Sequence, residues 1–140
     1  MKKTLLLAIV CMAGFTTAFA QAADSTIKFA KTTHDFGELL QSNGPQTYAF
    51  EFTNTGSEPV LIQNVQPSCG CTTPGWTKEP VEPGQTGVVQ ATYNAASAGP
   101  FNKSLTVTTN GTPNTITLYI KGKVIAGEQP VEDQPVPVEE

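Results

Sequence analysis

Two cysteines separated by a single residue are the side chains of this chain with the widest range of possible chemistry. Cys69 and Cys71 flank Gly70. At this spacing their Cα atoms are expected about 5.5 to 7 Å apart, at the edge of the ~4.4 to 6.8 Å window in which a disulfide closes. Glycine makes closure less costly because it reaches φ values that other residues avoid. A disulfide in so small a ring would be strained and easily reduced, and it would add little to the stability of the fold. We therefore expect a disulfide or thiol pair that contributes little to stability.

Metal binding is one alternative use of this pair. Thiolates suit soft ions such as Cu(I) or Zn(II), but two ligands are too few for a closed zinc site. His34, the one histidine of the chain, is a candidate third ligand beside Cys69 and Cys71. A histidine followed by Asp35 at a strand start is more typical of a packing residue. We therefore predict no cofactor, with a Cu or Zn site as the alternative.

Thiol-disulfide exchange is the other alternative, and it requires a stabilised thiolate. A helix N-terminus or a nearby cation normally supplies that stabilisation. No helix is predicted near Cys69, and the nearest lysine that follows in sequence is Lys78. A small disulfide, or two free thiols, that stabilises a local turn is the simplest interpretation.

Other catalytic arrangements are not favoured. In a strand, His34 and Asp35 point to opposite faces, so they do not form the base and carboxylate of a serine-hydrolase triad. No Gly-x-Ser-x-Gly motif occurs. Carboxylates such as Glu79 and Glu82 fit a solvated loop better than a catalytic pair. The sequence predicts a protein that is not an enzyme.

The first twenty residues have the pattern of a secretory leader. Lys2 and Lys3 precede an apolar run over residues 4–15, which is too short to span a bilayer as an anchor, and the small-x-small sequence 18–20 ends at Ala20. We expect cleavage near Ala20, no membrane span, and a periplasmic or secreted protein whose cysteines meet an oxidising space. Acylation at Cys11 is a weaker alternative, because a bulky Val10 precedes it.

Charge separates the chain into two parts. Beyond the leader it has six lysines, no arginine and twelve acidic residues, of which five follow Gly127. The body is nearly neutral, which excludes the basic surface that nucleic-acid binding requires. Residues 127–140 are acidic and rich in proline, with too few apolar residues to form a core, and we predict a disordered tail.

Residues 24–126 are predicted to form one all-β domain. Tyr48, Phe50 and Phe52 alternate on one face of an extended run, and similar runs recur over the body between turn sequences. About seven such strands in about a hundred residues predict an immunoglobulin-like β-sandwich. Residues 67–85 contain several prolines and glycines, and we predict that they form a long irregular crossing between two strands. Trp76, in that crossing, either closes one end of the sandwich or makes an exposed contact, and we favour closure.

Four short motifs together carry a resemblance to a known family. They are His34-Asp35-Phe36-Gly37, Phe-Glu-Phe-Thr-Asn-Thr-Gly at 50–56, Ser-Cys-Gly-Cys-Thr at 68–72, and Pro-Gly-Gln-Thr-Gly at 83–87. The chain resembles the bacterial domain of unknown function 1573 over residues 27–124. The resemblance implies a secreted immunoglobulin-like domain related to major sperm protein and Hydin-type modules, which serve mostly in protein contacts. We therefore expect a non-enzymatic binding or scaffold module that recruits another protein through an edge strand or its loops.

Overall fold

Residues 26–127 are described by a computed structural model, and they form eight β-strands and one short 3-10 helix, Gln41–Asn43. The strands are β1 (Ile27–Phe29), β2 (Thr33–Leu40), β3 (Gln46–Asn54), β4 (Ile62–Pro67), β5 (Thr72–Trp76), β6 (Thr86–Tyr93), β7 (Gly99–Thr109) and β8 (Thr115–Ile125). The predicted leader, and all but the first residue of the predicted tail, lie outside the described residues. No helix within 26–127 is long and apolar enough to cross a membrane.

The strands pair into two four-stranded sheets. Sheet A has the order β1-β3-β6-β5 and sheet B the order β2-β8-β7-β4. All pairs are antiparallel except β2 with β8, which is parallel. The first extended segment is therefore divided: β1 adds to sheet A for three residues, and after residues 30–32 the chain continues as β2 at the edge of sheet B.

Alternating side chains from both sheets fill the space between the layers. Along β3, Phe50 and Phe52 are buried whereas Ala49 and Glu51 are exposed. The central strands of both sheets contribute side chains with no exposed surface: Val89, Ala91, Leu105, Val107, Leu118 and Ile120. Burial of large apolar side chains stabilises such a sandwich by roughly 1.5 to 3 kcal/mol each. The predicted all-β, immunoglobulin-like sandwich is confirmed.

The predicted irregular crossing contains one strand that sequence reasoning missed. Within residues 67–85, β5 pairs antiparallel with β6, from Thr72 opposite Tyr93 to Trp76 opposite Val89. Pro74 and Gly75 suggested a loop because both residues are unfavourable inside sheets. β5 is an edge strand, however, and the edge is where a sheet tolerates proline.

Candidate functional site

The cysteine pair lies where the chain crosses from one sheet to the other, between β4 and β5. Cys69 and Cys71 are joined by a disulfide with their Cα atoms 5.3 Å apart. Gly70 between them is exposed and does not have a positive φ, so it does not use the conformational freedom expected of it. In this oxidised form neither sulfur is a thiolate, which is the form of cysteine that binds metals and attacks disulfides.

Hydrogen bonds hold this loop at both of its ends. The Ser68 N–H donates to the Ser104 carbonyl at 2.9 Å, and the Ser104 N–H donates to Ser68 Oγ at 3.1 Å. On the other sheet, the Asn94 N–H donates to the Cys71 carbonyl at 3.0 Å. The Cys71 side chain also packs against the core. The loop therefore keeps its position through contacts that do not involve the sulfur–sulfur bond.

Replacing both cysteines by serine is expected to cost less than about 2 kcal/mol of unfolding free energy. The disulfide closes a ring across a sequence separation of 2, so it removes little entropy from the unfolded chain, and the loss comes mainly from the packing of Cys71. Urea unfolding of the double variant Cys69→Ser/Cys71→Ser against the oxidised protein measures this cost. A loss above about 4 kcal/mol would show that the bond is a main structural element.

His34 lies at the opposite edge of the sandwich from the cysteine pair. It is on β2, whereas β4, which leads into the cysteine loop, is the other edge of the same sheet. The His34 ring stacks on Tyr48 with centroids 3.5 Å apart and meets Phe36 edge-on at 4.6 Å. The structure therefore does not bring the three candidate metal ligands together. Within residues 26–127, no group of three histidine, cysteine or acidic side chains is arranged to hold a metal ion.

The His34 environment predicts a pH dependence of stability. Burial, assisted by Lys31 and opposed by Asp35, lowers the pKa of His34 below its usual 6.5. The unfolded chain then takes up the proton more readily, so stability is full above about pH 6.5 and falls as the pH drops toward the folded pKa. We expect less stability at pH 5.5 than at pH 7.5, with a modest difference because the ring is partly exposed.

The His34→Phe variant keeps an aromatic ring against Tyr48 and should lose most of this pH dependence. Urea unfolding of the wild type and the variant at pH 5.5 and pH 7.5 measures the pH dependence of the free energy of unfolding. Because His34 is the one histidine in the chain, no other imidazole contributes. An equal pH dependence in wild type and variant would contradict this assignment.

Trp76 ends the edge strand β5 and packs, half-buried, against the core. The Lys78 ammonium lies over its ring, 3.0 Å from the centroid. A cation over an indole face is a favourable contact worth roughly 0.5 to 1 kcal/mol at exposed positions. Of the two expected roles, the structure supports closure of the sandwich, with Lys78 covering the outer face of the ring.

A stretch of open sheet edge on β3 is the feature that sequence reasoning missed. β1 pairs with β3 only as far as Phe29 opposite Phe52, and the last bond joins the Ala30 N–H to the Glu51 carbonyl at 3.0 Å. Backbone groups alternate sides along a strand. Since Glu51 faces the β1 side, Ala49 and Thr47 also direct their N–H and C=O groups there. No strand within residues 26–127 pairs with β3 on that side beyond β1.

The free stretch borders a depression in the surface. A cavity of about 270 Å³ is lined by Ala30, Lys31 and residues 48–51. The half-buried rings of Tyr48 and His34 lie on the inner side of this edge. The site thus offers outward backbone donors and acceptors together with partly covered aromatic surface. No local pattern could have indicated it, because it depends on where β1 leaves sheet A.

The other sheet edges carry features that oppose further pairing. β4 has a register shift between Ile62 and Asn64, and β5 contains Pro74. β2 has a shift between Asp35 and Glu38, where the Gly37 N–H donates to the Asp35 carboxylate at 2.8 Å and lowers the pKa of that carboxyl group. Bulges, proline and short strands are the usual means of protecting an edge. The β3 stretch is short, but it has regular pairing with β6 and contains neither a bulge nor a proline.

The geometry defines an immunoglobulin-like sandwich with a divided first strand. The family model described as "Protein of unknown function (DUF1573)" matches residues 27–124. The chain belongs to this family, as its motifs indicated. None of the curated proteins matches the chain.

Solved structures with the same fold come from varied proteins. A protein of unknown function from Porphyromonas gingivalis W83 has a TM-score of 0.62 at 16% identity, over 77% of this chain and 51% of that one. The secreted serine protease VesC of Vibrio cholerae has a TM-score of 0.55 at 14% identity, over 72% of this chain and 23% of that one. The PapD-like domain 7 of human CEP192 has a TM-score of 0.61 at 11% identity, over 91% of this chain and 99% of that one.

These likenesses show the fold alone. The chain spans about half the length of the Porphyromonas protein and about a quarter of the protease. It spans nearly all of the CEP192 domain. The same fold therefore occurs within longer solved chains and as a domain solved by itself.

Proposed function

We propose that this chain is an exported, non-enzymatic binding module that accepts an extended segment of another protein as an added strand beside β3. The observation that carries the proposal is the open edge at residues 46–50, where Thr47 and Ala49 direct their backbone groups away from β6. The leader pattern at residues 1–20 supports export. The nearly neutral body agrees with recognition through the backbone rather than through charge.

The chemistry of the edge defines the partner. Main-chain hydrogen bonds to Thr47 and Ala49 would give affinity, and alternate side chains of the incoming strand would give specificity. On the inner face these side chains would meet Tyr48 and His34, so small apolar or β-branched residues at every second position fit best. The free stretch is short, so about four hydrogen bonds and two buried side chains predict a Kd of roughly 10 to 100 µM.

A peptide titration tests the proposal. The probe is a peptide of about nine residues with valine at two alternating central positions in a serine and threonine background. Its control carries proline in place of each valine. We expect the mature protein to bind the valine peptide in isothermal titration calorimetry and to bind the control at least tenfold more weakly. In a parallel added strand the valines that face inward also carry the N–H groups that bond to β3, and proline lacks this group.

Two substitutions at one position locate the binding. Ala49→Pro removes the outward N–H while the β6 side of the strand keeps its bonds, and Ala49→Val changes the side chain but keeps the N–H. We expect at least a tenfold loss of affinity for the first and less than a threefold change for the second. Far-UV circular dichroism and thermal unfolding establish that both variants fold. Equal binding by both variants would contradict the proposal.

A further inference from the structure

The described part of the chain ends beside the start of the open edge. A Cβ built on Gly127 would lie 3.1 Å from Ser42 Oγ and 3.5 Å from Leu40 Cδ2. Ser42 belongs to the short helix Gln41–Asn43, which precedes β3 by two residues, 44 and 45. Gly127, from which the chain continues into residues 128–140, therefore lies at the end of the sandwich at which β3 begins.

The proline spacing in residues 128–140 favours a strand that is bonded on one side only. Residues 135–138 read Pro-Val-Pro-Val. Along a strand, successive N–H groups point to opposite sides, so Pro135 and Pro137 share one side and Val136 and Val138 share the other. Proline is tolerated where its nitrogen faces away from the ladder. Such a segment can pair through its valines and would terminate the sheet on its proline side.

We propose that residues 135–138 of this same chain occupy the open β3 edge as a parallel strand, with Val136 and Val138 flanking Ala49. A segment that enters where β3 begins runs in the direction of β3. The Ala49 N–H would donate to the Val136 carbonyl and the Val138 N–H to the Ala49 carbonyl. This inference rests on the proposed function, because the chain's own segment would compete with a partner for the same edge.

The side chains of this segment suit the aromatic surface on the inner side of the open edge. In a parallel pair, the residue opposite Ala49 shares its outward face, so Pro137 would face outward and the two flanking valines inward. The valine side chains would then cover the stacked rings of Tyr48 and His34. This contact would bury apolar surface that is otherwise half-exposed in the described part of the chain.

The connection is long enough for this placement. Residues 128–134 join Gly127 to the segment, and seven residues reach at most about 23 Å. The two sheets of a sandwich lie about 10 Å apart. The acidic side chains Glu128, Glu132 and Asp133 lie in the connection, where they can stay in water. A tether of this length gives an effective concentration in the millimolar range, so even weak docking would reduce the affinity for a partner.

A pair of tail variants of the full mature chain tests this inference. Val136→Pro/Val138→Pro removes the Val138 N–H that would donate to Ala49, and the Val136 N–H that would donate to the Thr47 carbonyl in the same register. The matched control Pro135→Ala/Pro137→Ala changes the other two positions, whose nitrogens face away. By NMR-detected hydrogen exchange, we expect the Ala49 amide to exchange at least tenfold more slowly in wild type and control than in the Val136→Pro/Val138→Pro protein.

The affinity for the valine peptide distinguishes a failure of this inference from a failure of the proposed binding function. We expect the valine peptide to bind Val136→Pro/Val138→Pro at least tenfold more tightly than wild type. Binding of equal affinity, with equally fast Ala49 exchange in all three proteins, would overturn the tail assignment and leave the binding function standing. Slow Ala49 exchange in wild type and control, with no peptide binding to any protein, would support the tail contact and refute the binding function. If the slow exchange of the Ala49 amide disappeared when the protein was diluted, the strand beside β3 would come from a second copy, and the assignment to the same chain would be overturned.

Discussion

Asn54→Ala is expected to destabilise the protein by about 3 kcal/mol. The Asn54 side chain is fully buried at the end of β3, and it joins three separate segments of backbone. Its amide group donates to the carbonyl of Glu58 at 2.7 Å and to that of Val81 at 2.8 Å, and its carbonyl oxygen accepts the Gly56 N–H at 2.9 Å. Alanine would remove all three bonds. The Val81 carbonyl would keep its bond from the Val60 N–H at 2.9 Å, so the expected cost is that of three hydrogen bonds worth roughly 1 kcal/mol each.

The matched control for this variant is Asn64→Ala, at an exposed position on β4. We expect it to change the free energy of unfolding by less than about 0.5 kcal/mol, as surface substitutions generally do. Urea unfolding of both variants measures the difference. A loss below 1 kcal/mol for Asn54→Ala would show that the three bonds contribute little net stability.

Gly87→Ala is expected to cost about 3 kcal/mol because there is no room for a side chain at this position. An added Cβ would lie 2.5 Å and 2.7 Å from two ring atoms of Phe52 and 3.0 Å from a methyl group of Val81. Both neighbours are buried in the core, so neither can move into water. Overpacking of a buried site costs typically 1 to 3 kcal/mol, and contacts this short predict the upper end.

Gly70→Ala is the matched control, since a Cβ at Gly70 has no neighbour within 4 Å and the backbone there does not have a positive φ. We expect its thermal midpoint to stay within about 2 °C of the wild type, and that of Gly87→Ala to fall by roughly 10 °C or more. Equal midpoints for the two variants would contradict the packing assigned to Phe52.

The alternation of apolar residues was sufficient to predict the layers and the inward face of β3. Phe50 and Phe52 have the expected burial because alternation is a local property of the strand. β5 was missed because the composition of residues 72–76 resembles a turn, and its edge position follows from pairing with a distant strand. The residue types at 54–56 are typical of a turn, but the bond from Asn54 to Val81 crosses a sequence separation of 27, and no local pattern indicates it.

The candidate site was the least predictable part of the molecule. The chemistry of the cysteine pair is visible in the sequence, yet hydrogen bonds on both sides of its loop already hold that loop in place. The open edge has no distinctive residue type, since Thr47 and Ala49 contribute backbone groups. It exists because β1 leaves sheet A after three residues, which depends on the packing of the whole sandwich.

Hydrogen exchange along β3 tests the central claim most directly. It is measured on the Val136→Pro/Val138→Pro protein with and without a saturating concentration of the valine peptide. Tyr48 and Phe50, whose N–H groups face β6, should exchange slowly in both states. Thr47 and Ala49 should exchange rapidly in the free protein and at least tenfold more slowly with peptide. Rapid exchange of Thr47 and Ala49 in both states, with peptide-induced protection at another edge or loop, would contradict the account.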